Sequence, residues 1–167
     1  MTVEGEHVYH VSRFGVLAHN NKCAVFSRTL TRRLSGLYSD DGATLLATAL
    51  RRNGILRPAQ TTPHHLIPMS MANLKGVEPL FEKAVRSGWD MNGARNGMFL
   101  DGIAHPRGNN YPNYRAFVEK QIRGYIKEHG ATRNITGKKA RSFLEGLGSR
   151  MKKLIEENPG RNIDHPF

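Results

Sequence analysis

The chain has 167 residues, of which 38% are hydrophobic, and its 25 Lys and Arg exceed its 14 Asp and Glu, for a formal net charge of +11. This length suits one compact domain with an appendage, and no apolar run is long enough to cross a bilayer. The electrostatic field of a positively charged protein attracts polyanions, so nucleic acid is the default partner. The single cysteine, Cys23, excludes an internal disulfide and a multi-thiolate zinc site, so a metal would need nitrogen and oxygen ligands.

The first 21 residues predict a β-hairpin. Residues 7–11 alternate as a strand does, Gly15 belongs to a turn, and a second short strand follows. The ending Leu17-Ala18-His19-Asn20-Asn21, just before Cys23, resembles the last strand of the intein-like Hint or pretoxin modules that precede toxin domains in bacterial polymorphic toxins. The resemblance implies that residues 1–23 are the remnant of such a module, without its amino-terminal nucleophile and therefore unable to cleave itself. The alternative is an ordinary edge hairpin.

Residues 24–54 have the spacing of two short helices. The apolar positions of the first helix recur every one to four residues, and Ser35-Gly36 closes it. Ser39-Asp40 can cap the second helix, which continues to Gly54. Basic side chains follow at its carboxyl end, where they complement the helix dipole and can also contact phosphate: Arg51, Arg52 and Arg57.

Two adjacent histidines stand in the strand-like run Pro63-His64-His65-Leu66-Ile67-Pro68. Successive side chains of a strand point to opposite faces, so the two imidazoles can meet at one point only if the strand bends or ends there. Such a pair suits a division of roles, in which one imidazole holds a metal and the other accepts a proton near neutral pH. The alternative is a pair of partly exposed histidines without a role.

The second half of the chain predicts a helix over 70–87, a tight turn at Asn96-Gly97 into a short strand, and a loop over 101–113 with His105 near its centre. Two longer helices follow. Pro112 opens the first, which continues to His129-Gly130, and Thr136 caps the second, which stops before Pro159.

Five side chains in the middle of the chain can bind a cation: His64, His65, Asn96, His105 and Asn109. The last two are four positions apart, so a helical turn would place them on one side. This order, His-His, then Asn-Gly before a strand, then His-x-x-x-Asn, resembles the HNH, or ββα-metal, endonuclease superfamily. More narrowly, the run from Gly54 through the histidine pair, together with residues 92–100, is similar to the AHH group of toxin nucleases, and the resemblance spans roughly residues 45–118.

The resemblance implies a role for each matching position. His64 would be a metal ligand, and His65 the general base. From the chemistry of a neutral imidazole, we expect a backbone carbonyl to orient His65. Asn96 would tie the loop and hold the base in position, and His105 would be a second metal ligand near the metal-site helix. Asn109 departs from the pattern, because many relatives have a second histidine there. The third ligand is therefore open between Asn109, Asn110, Tyr111 and water.

The implied fold class is α+β, a mostly helical domain around a small ββα-metal core of two short strands and a metal-site helix. The nuclease domain would span 24–160, with 161–167 as a tail. Three arginines are placed to contact phosphate: Arg57, Arg95 and Arg107.

The function expected from this resemblance is metal-dependent hydrolysis of DNA phosphodiesters, as the carboxyl-terminal toxin domain of a bacterial polymorphic toxin. One divalent ion, Mg, Mn, Zn or Ni, would be the cofactor. Expected partners are nucleic acid, DNA before RNA, and an acidic immunity protein, with no membrane insertion, and the toxin would be delivered into the cytoplasm of a target cell. The alternatives are an RNase on the same scaffold and a non-catalytic basic nucleic-acid-binding module with a structural metal.

Overall fold

The computed structural model describes residues 9–10, 17–18, 34, 36, 41–106 and 111–164. This part of the chain mixes helices and strands and is broadly α+β, as the sequence predicts. Its elements in chain order are β1 (Tyr9–His10), β2 (Leu17–Ala18), α1 (Gly42–Arg52), β3 (Thr61–His65), α2 (Glu78–Arg86), β4 (Gly97–Asp101), α3 (Pro112–Glu128) and α4 (Gly137–Glu156). None of the helices described is both long and apolar enough to span a membrane.

The two amino-terminal strands pair antiparallel, with Tyr9 opposite Ala18 and His10 opposite Leu17. This pairing agrees with the hairpin predicted for the first 21 residues. The residues that carry the likeness to a Hint or pretoxin module beyond Leu17–Ala18, His19 to Cys23, lie outside the described residues, as does nearly all of the helix predicted from residue 24.

The antiparallel pair β3 and β4 carries the histidine doublet. His64 stands opposite Met98 and His65 opposite Gly97. A Cβ atom at Gly97 would overlap the side chain of Leu46, which is fully buried in α1. Glycine therefore allows α1 to pack directly on the sheet beside the doublet.

Helices α2, α3 and α4 bury one face each in a common core. The amphipathic spacing predicts these faces, and the residues they bury include Leu80, Phe81, Ala84 and Val85 from α2, Val118 and Ile122 from α3, and Leu144, Leu147, Met151 and Ile155 from α4. The Lys83 ammonium of α2 donates hydrogen bonds to the carbonyls of Thr132 and Ile135, at 2.7 and 2.9 Å. This cation joins α2 to the turn that precedes α4.

Several predicted helix ends are confirmed. Pro112 opens α3, and the Thr136 hydroxyl accepts a hydrogen bond from the Lys139 amide at 3.3 Å at the start of α4. The helix predicted over 70–87 is wrong in its first turns. Residues Met69–Asn73 form a 3-10 turn, and Gly76, at φ +82°, breaks the chain before α2 begins at Glu78.

His105 follows a tight turn and does not lie on a helix that could pair it with Asn109. The Asp101 carboxylate accepts hydrogen bonds from the amides of Ile103 and Ala104, and the His105 amide donates to the Asp101 carbonyl at 2.9 Å. The helical turn thus ends at His105, because the following Pro106 disfavours helical geometry at the residue before it. Asn109 and Asn110 lie outside the described residues.

The end of the chain closes over this turn. Ile163 is buried and its amide donates to the Ala104 carbonyl at 3.1 Å. Asp164 accepts hydrogen bonds from the amides of Asn113 and Tyr114, at 2.8 and 3.0 Å, and so caps α3 from the segment predicted as a tail. Ile163 therefore stabilises the stretch before residue 107, and Asp164 stabilises the stretch after residue 110.

Candidate metal centre and general base

The imidazoles of His64 and His105 meet between β3 and the turn after β4. Their ring centroids are 4.9 Å apart, at an angle of 67°. His64 is buried, and its Nε2 atom has no hydrogen-bond partner within the described part of the chain. A buried polar nitrogen without a partner costs free energy unless something else binds it. The structure thus brings together two of the three residues predicted as metal ligands, and the third, Asn109, lies outside the described residues.

Two tyrosines enclose the rings of His64 and His105. The Tyr114 ring lies 5.4 Å from that of His64, and the Tyr111 ring 4.7 Å from that of His105. Both hydroxyls donate to backbone carbonyls, Tyr114 to Leu66 at 2.7 Å and Tyr111 to Pro106 at 2.5 Å. Tyr111 also adopts left-handed backbone geometry, with φ +45°, which a non-glycine residue keeps only when its surroundings hold it there. The two tyrosine rings therefore pack against His64 and His105 and restrict the movement of both imidazoles.

His65 has a different partner, as expected for the next residue of a strand. Its Nε2 atom lies 2.9 Å from the Asn92 side-chain oxygen, Oδ1. The Asn92 amide nitrogen donates to the Gly36 carbonyl at 2.9 Å, which identifies the atom facing His65 as the oxygen. Nε2 of His65 therefore carries the proton, and Nδ1 keeps its lone pair. The group that faces Nε2 is thus a side-chain amide, whereas a backbone carbonyl was expected there.

Asn96 is buried just before β4, next to the segment that follows β3. Its side-chain oxygen accepts from the Ile67 amide at 2.8 Å, and its side-chain nitrogen donates to the Met91 carbonyl at 2.9 Å. Its own carbonyl accepts from the Leu66 amide at 2.9 Å. These bonds join the segment after the doublet to the segment that carries Asn92. Asn96 thus joins the segment after β3 to the turn before β4, and its part in holding the base in position stays a prediction.

Burial keeps these imidazoles neutral. Desolvation, and then the nearby His105 and His65, lower the pKa of His64 to about 3. Burial also lowers the pKa of His65, although the Asn92 hydrogen bond and Asp90 oppose the shift, and burial lowers the pKa of His105. A neutral imidazole has the lone pair that both a metal ligand and a general base need.

Two of the three arginines predicted to contact phosphate, Arg57 and Arg95, have other partners. The Arg57 guanidinium donates to the Thr61 carbonyl, with Nε at 2.9 Å. Arg95 forms an ion pair with Glu145 of α4 at 3.0 Å, although 74% of its side chain is exposed. Arg107 lies outside the described residues. Neither Arg57 nor Arg95 lines the cleft that His64, His65 and His105 share, although Arg57 lines a second pocket of about 300 Å³ that also includes His105.

That cleft has a volume of about 390 Å³. His64, His65 and His105 all line it, because β3 ends at His65 and the doublet can open onto one space. Arg115, from the first turn of α3, lines it as well. Sequence reasoning missed Arg115 and Asn92, since no spacing distinguishes either of them from the other basic and amide residues of the chain.

The residues present fit a divalent cation in part. Among the described residues, no three His, Cys, Asp or Glu side chains are grouped closely enough to hold a metal ion. His64 and His105 would supply two nitrogen ligands, and the unpartnered Nε2 of His64 is an atom that a metal would satisfy. Further ligands would be oxygen atoms, from water or from the stretch between Arg107 and Tyr111.

No family model matches the chain. Searches among curated proteins and among solved structures also found no similar protein.

Proposed function

We propose that this protein is a metal-dependent endonuclease that hydrolyses DNA phosphodiesters, with β3, β4 and α3 forming a ββα-metal core. One observation carries the proposal. Adjacent histidines open onto one cleft with different partners. The buried His64 ring contacts that of His105 and its Nε2 lacks a hydrogen bond, whereas the His65 Nε2 atom lies 2.9 Å from the Asn92 side-chain oxygen. A hydrolase with one metal and one base needs this division of roles.

The proposed metal site is formed by His64 and His105. His64 and His105 would hold a divalent ion, with Mg, Mn, Zn or Ni as candidates. The ion would supply Lewis acidity, which neutralises negative charge that develops on the phosphoryl oxygens. Two imidazoles, with the remaining ligands as oxygen atoms, favour a catalytic site over the closed Cys and His sets of structural zinc sites.

His65 would act as the general base. Its Nδ1 takes a proton from water, the water oxygen forms a bond to phosphorus, and the bond from phosphorus to the 3'-oxygen breaks. The departing oxygen then takes a proton from solvent. The Asn92 side-chain oxygen accepts a hydrogen bond from Nε2–H of His65. This bond keeps the proton of the neutral ring on Nε2 and fixes the ring orientation. Asn96 holds the backbone on both sides of this contact.

The proposed biological setting is a bacterial polymorphic toxin delivered into the cytoplasm of a target cell. The net charge of +11 supports a polyanionic substrate and an acidic immunity protein that covers the same face. The resemblance of residues 45–118 to AHH toxin nucleases supports the same assignment. The alternative, a basic binding module with a structural metal, predicts binding without turnover.

The test is a cleavage assay on plasmid DNA and on total RNA, with and without EDTA. Wild-type protein should cut the plasmid only with divalent metal, and His65→Ala should reduce the rate by about 10² to 10⁴, the usual contribution of a general base. His129→Ala is the matched control, because His129 bonds the Tyr125 carbonyl near the far end of α3. Undiminished cleavage by His65→Ala would disprove the mechanism. Cleavage of RNA alone would assign the RNase, and cleavage of neither would favour the binding module.

A further inference from the structure

We propose that Arg115 is the residue that binds the substrate phosphate in the histidine cleft, an inference that rests on the nuclease function proposed above. The sequence resemblance does not point to this residue. Its position in the fold does, because Arg115 places a guanidinium beside the three histidines from the first turn of α3.

Arg115 is anchored through its backbone, and its side chain lacks a complete set of partners within the described part of the chain. Its backbone amide donates to the Tyr111 carbonyl at 2.9 Å, which anchors the residue in the first turn. Its Nε atom is buried and has no hydrogen-bond partner in the described part of the chain. A guanidinium normally satisfies its donors with carboxylates, carbonyls, phosphates or water. A buried Nε–H without a partner is therefore a donor available to a ligand.

The charge of the cleft favours an anionic ligand. Among the described residues that line it, Arg115 is the only Lys or Arg, and there is no Asp or Glu. The first amides of α3 add no free donors, because the Asp164 carboxylate already accepts from Asn113 and Tyr114, so the attraction depends on the guanidinium of Arg115. No carboxylate of the lining competes for the guanidinium, so a phosphate that enters meets the positive charge of Arg115 next to the proposed metal ligands.

The guanidinium chemistry suits a phosphodiester in particular. Its planar fork of N–H donors can contact two phosphate oxygens at once, which a lysine ammonium cannot do with the same geometry. The arginines predicted from the sequence are less suited, because Arg57 is bonded to the Thr61 carbonyl and Arg95 to Glu145. Arg115 would both hold the phosphate and stabilise the charge that builds up during hydrolysis.

The experiment compares Arg115→Ala, Arg115→Lys and the control Arg150→Ala with wild type. Arg150 is an exposed arginine of α4 outside the cleft, so its substitution removes the same charge elsewhere. The first readout is kcat/KM for plasmid cleavage with metal. The second is the salt dependence of binding to a fluorescein-labelled DNA duplex in EDTA, where no turnover occurs. Thermal unfolding followed by circular dichroism verifies that each variant is folded.

Arg115→Ala should lower kcat/KM about 10- to 100-fold, the loss expected for a charge-assisted hydrogen bond, and reduce the slope of log K against log salt by about one. Arg115→Lys should restore the slope but only part of the rate. The same effect from Arg150→Ala, or full activity in Arg115→Ala, would overturn the proposal for Arg115 and leave the nuclease intact. If the wild type does not cleave, the nuclease function fails, and the binding slope alone decides whether Arg115 contacts phosphate. Arg115→Lys serves as the decisive variant should the alanine variant not fold.

Discussion

His64 and His65 are consecutive residues with different surroundings, because a strand turns successive side chains to opposite faces. His64 is buried against His105, Tyr111 and Tyr114, and His65 bonds to Asn92. The end of β3 at His65 lets both open onto the cleft. The proposed separation of metal binding from proton transfer therefore follows from local backbone geometry.

Asn92 gives the most specific prediction at the residue scale. Asn92→Leu removes the acceptor for Nε2–H of His65, so the ring and its tautomer are no longer fixed. We expect kcat to fall about 10- to 100-fold, as for other residues that orient a group at a metal centre, while metal affinity stays unchanged. Plasmid cleavage and calorimetric titration with metal measure the two quantities.

Asn92→Asp is the matched variant, because it retains a side-chain oxygen for His65 and loses the donor to the Gly36 carbonyl. It should recover a large part of the rate. Equal loss in both variants would show that Asn92 acts through its contact with Gly36 and not through the imidazole.

The sequence predicted part of this site for identifiable reasons. Adjacent histidines between prolines and the Asn-Gly turn are local signals, and the structure places His64, His65 and Asn96 at the end of β3 and beside it. Asn92 and Arg115 are functional candidates only because distant segments bring them to the cleft. No local pattern could show that Asn92 faces His65, 27 positions away.

At the scale of elements, the contact between His64 and His105 depends on the turn before α3 and on the start of that helix. Tyr111, the residue before α3, supplies no side-chain cap, and the Asp164 carboxylate accepts from the amides of Asn113 and Tyr114 instead. Ile163 binds the Ala104 carbonyl beside His105. Residues near the end of the chain thus stabilise both sides of the site. The sequence predicted the start of α3 at Pro112 correctly but not this cap, because its carboxylate is 51 positions from Asn113.

Asp164→Ala should therefore destabilise the folded protein. Loss of a helix cap usually costs about 0.5 to 2 kcal/mol, and urea unfolding in EDTA measures the free energy of unfolding without a metal contribution. Asp164→Asn retains an acceptor oxygen and should lose less. An unchanged urea midpoint for Asp164→Ala would contradict the assigned cap.

The helices also show where periodicity predicts well and where it does not. The apolar faces of α3 and α4 recur over several turns, and both helices begin where Pro112 and Thr136 predict. The segment before α2 has compatible residues, but Gly76 adopts left-handed geometry and separates the 3-10 turn from the helix. A glycine breaks a helix only in its tertiary context, so spacing alone predicted one continuous helix.

At the scale of the whole molecule, the charge of +11 and the cleft have separate roles in the proposal. The overall field attracts nucleic acid and accelerates encounter, and much of it comes from exposed side chains. Several of these are paired within one helix, including Lys152 with Glu156 and Lys153 with Glu157, at 3.7 and 3.6 Å. Such surface pairs add little stability, so the lysines can leave their Glu partners and bind phosphates instead. Composition predicts the attraction, but the chemistry depends on the few residues gathered in the cleft.

The central claim is that His64 and His105 hold one divalent ion while His65 stays outside its coordination. An anomalous difference map from a crystal grown with Mn²⁺ or Zn²⁺ tests it most directly. The expected result is one peak between the His64 and His105 rings, bonded to both at roughly 2.0 to 2.1 Å for zinc, with His65 still bonded to Asn92. A peak elsewhere, or an ion ligated by His65, would contradict the account.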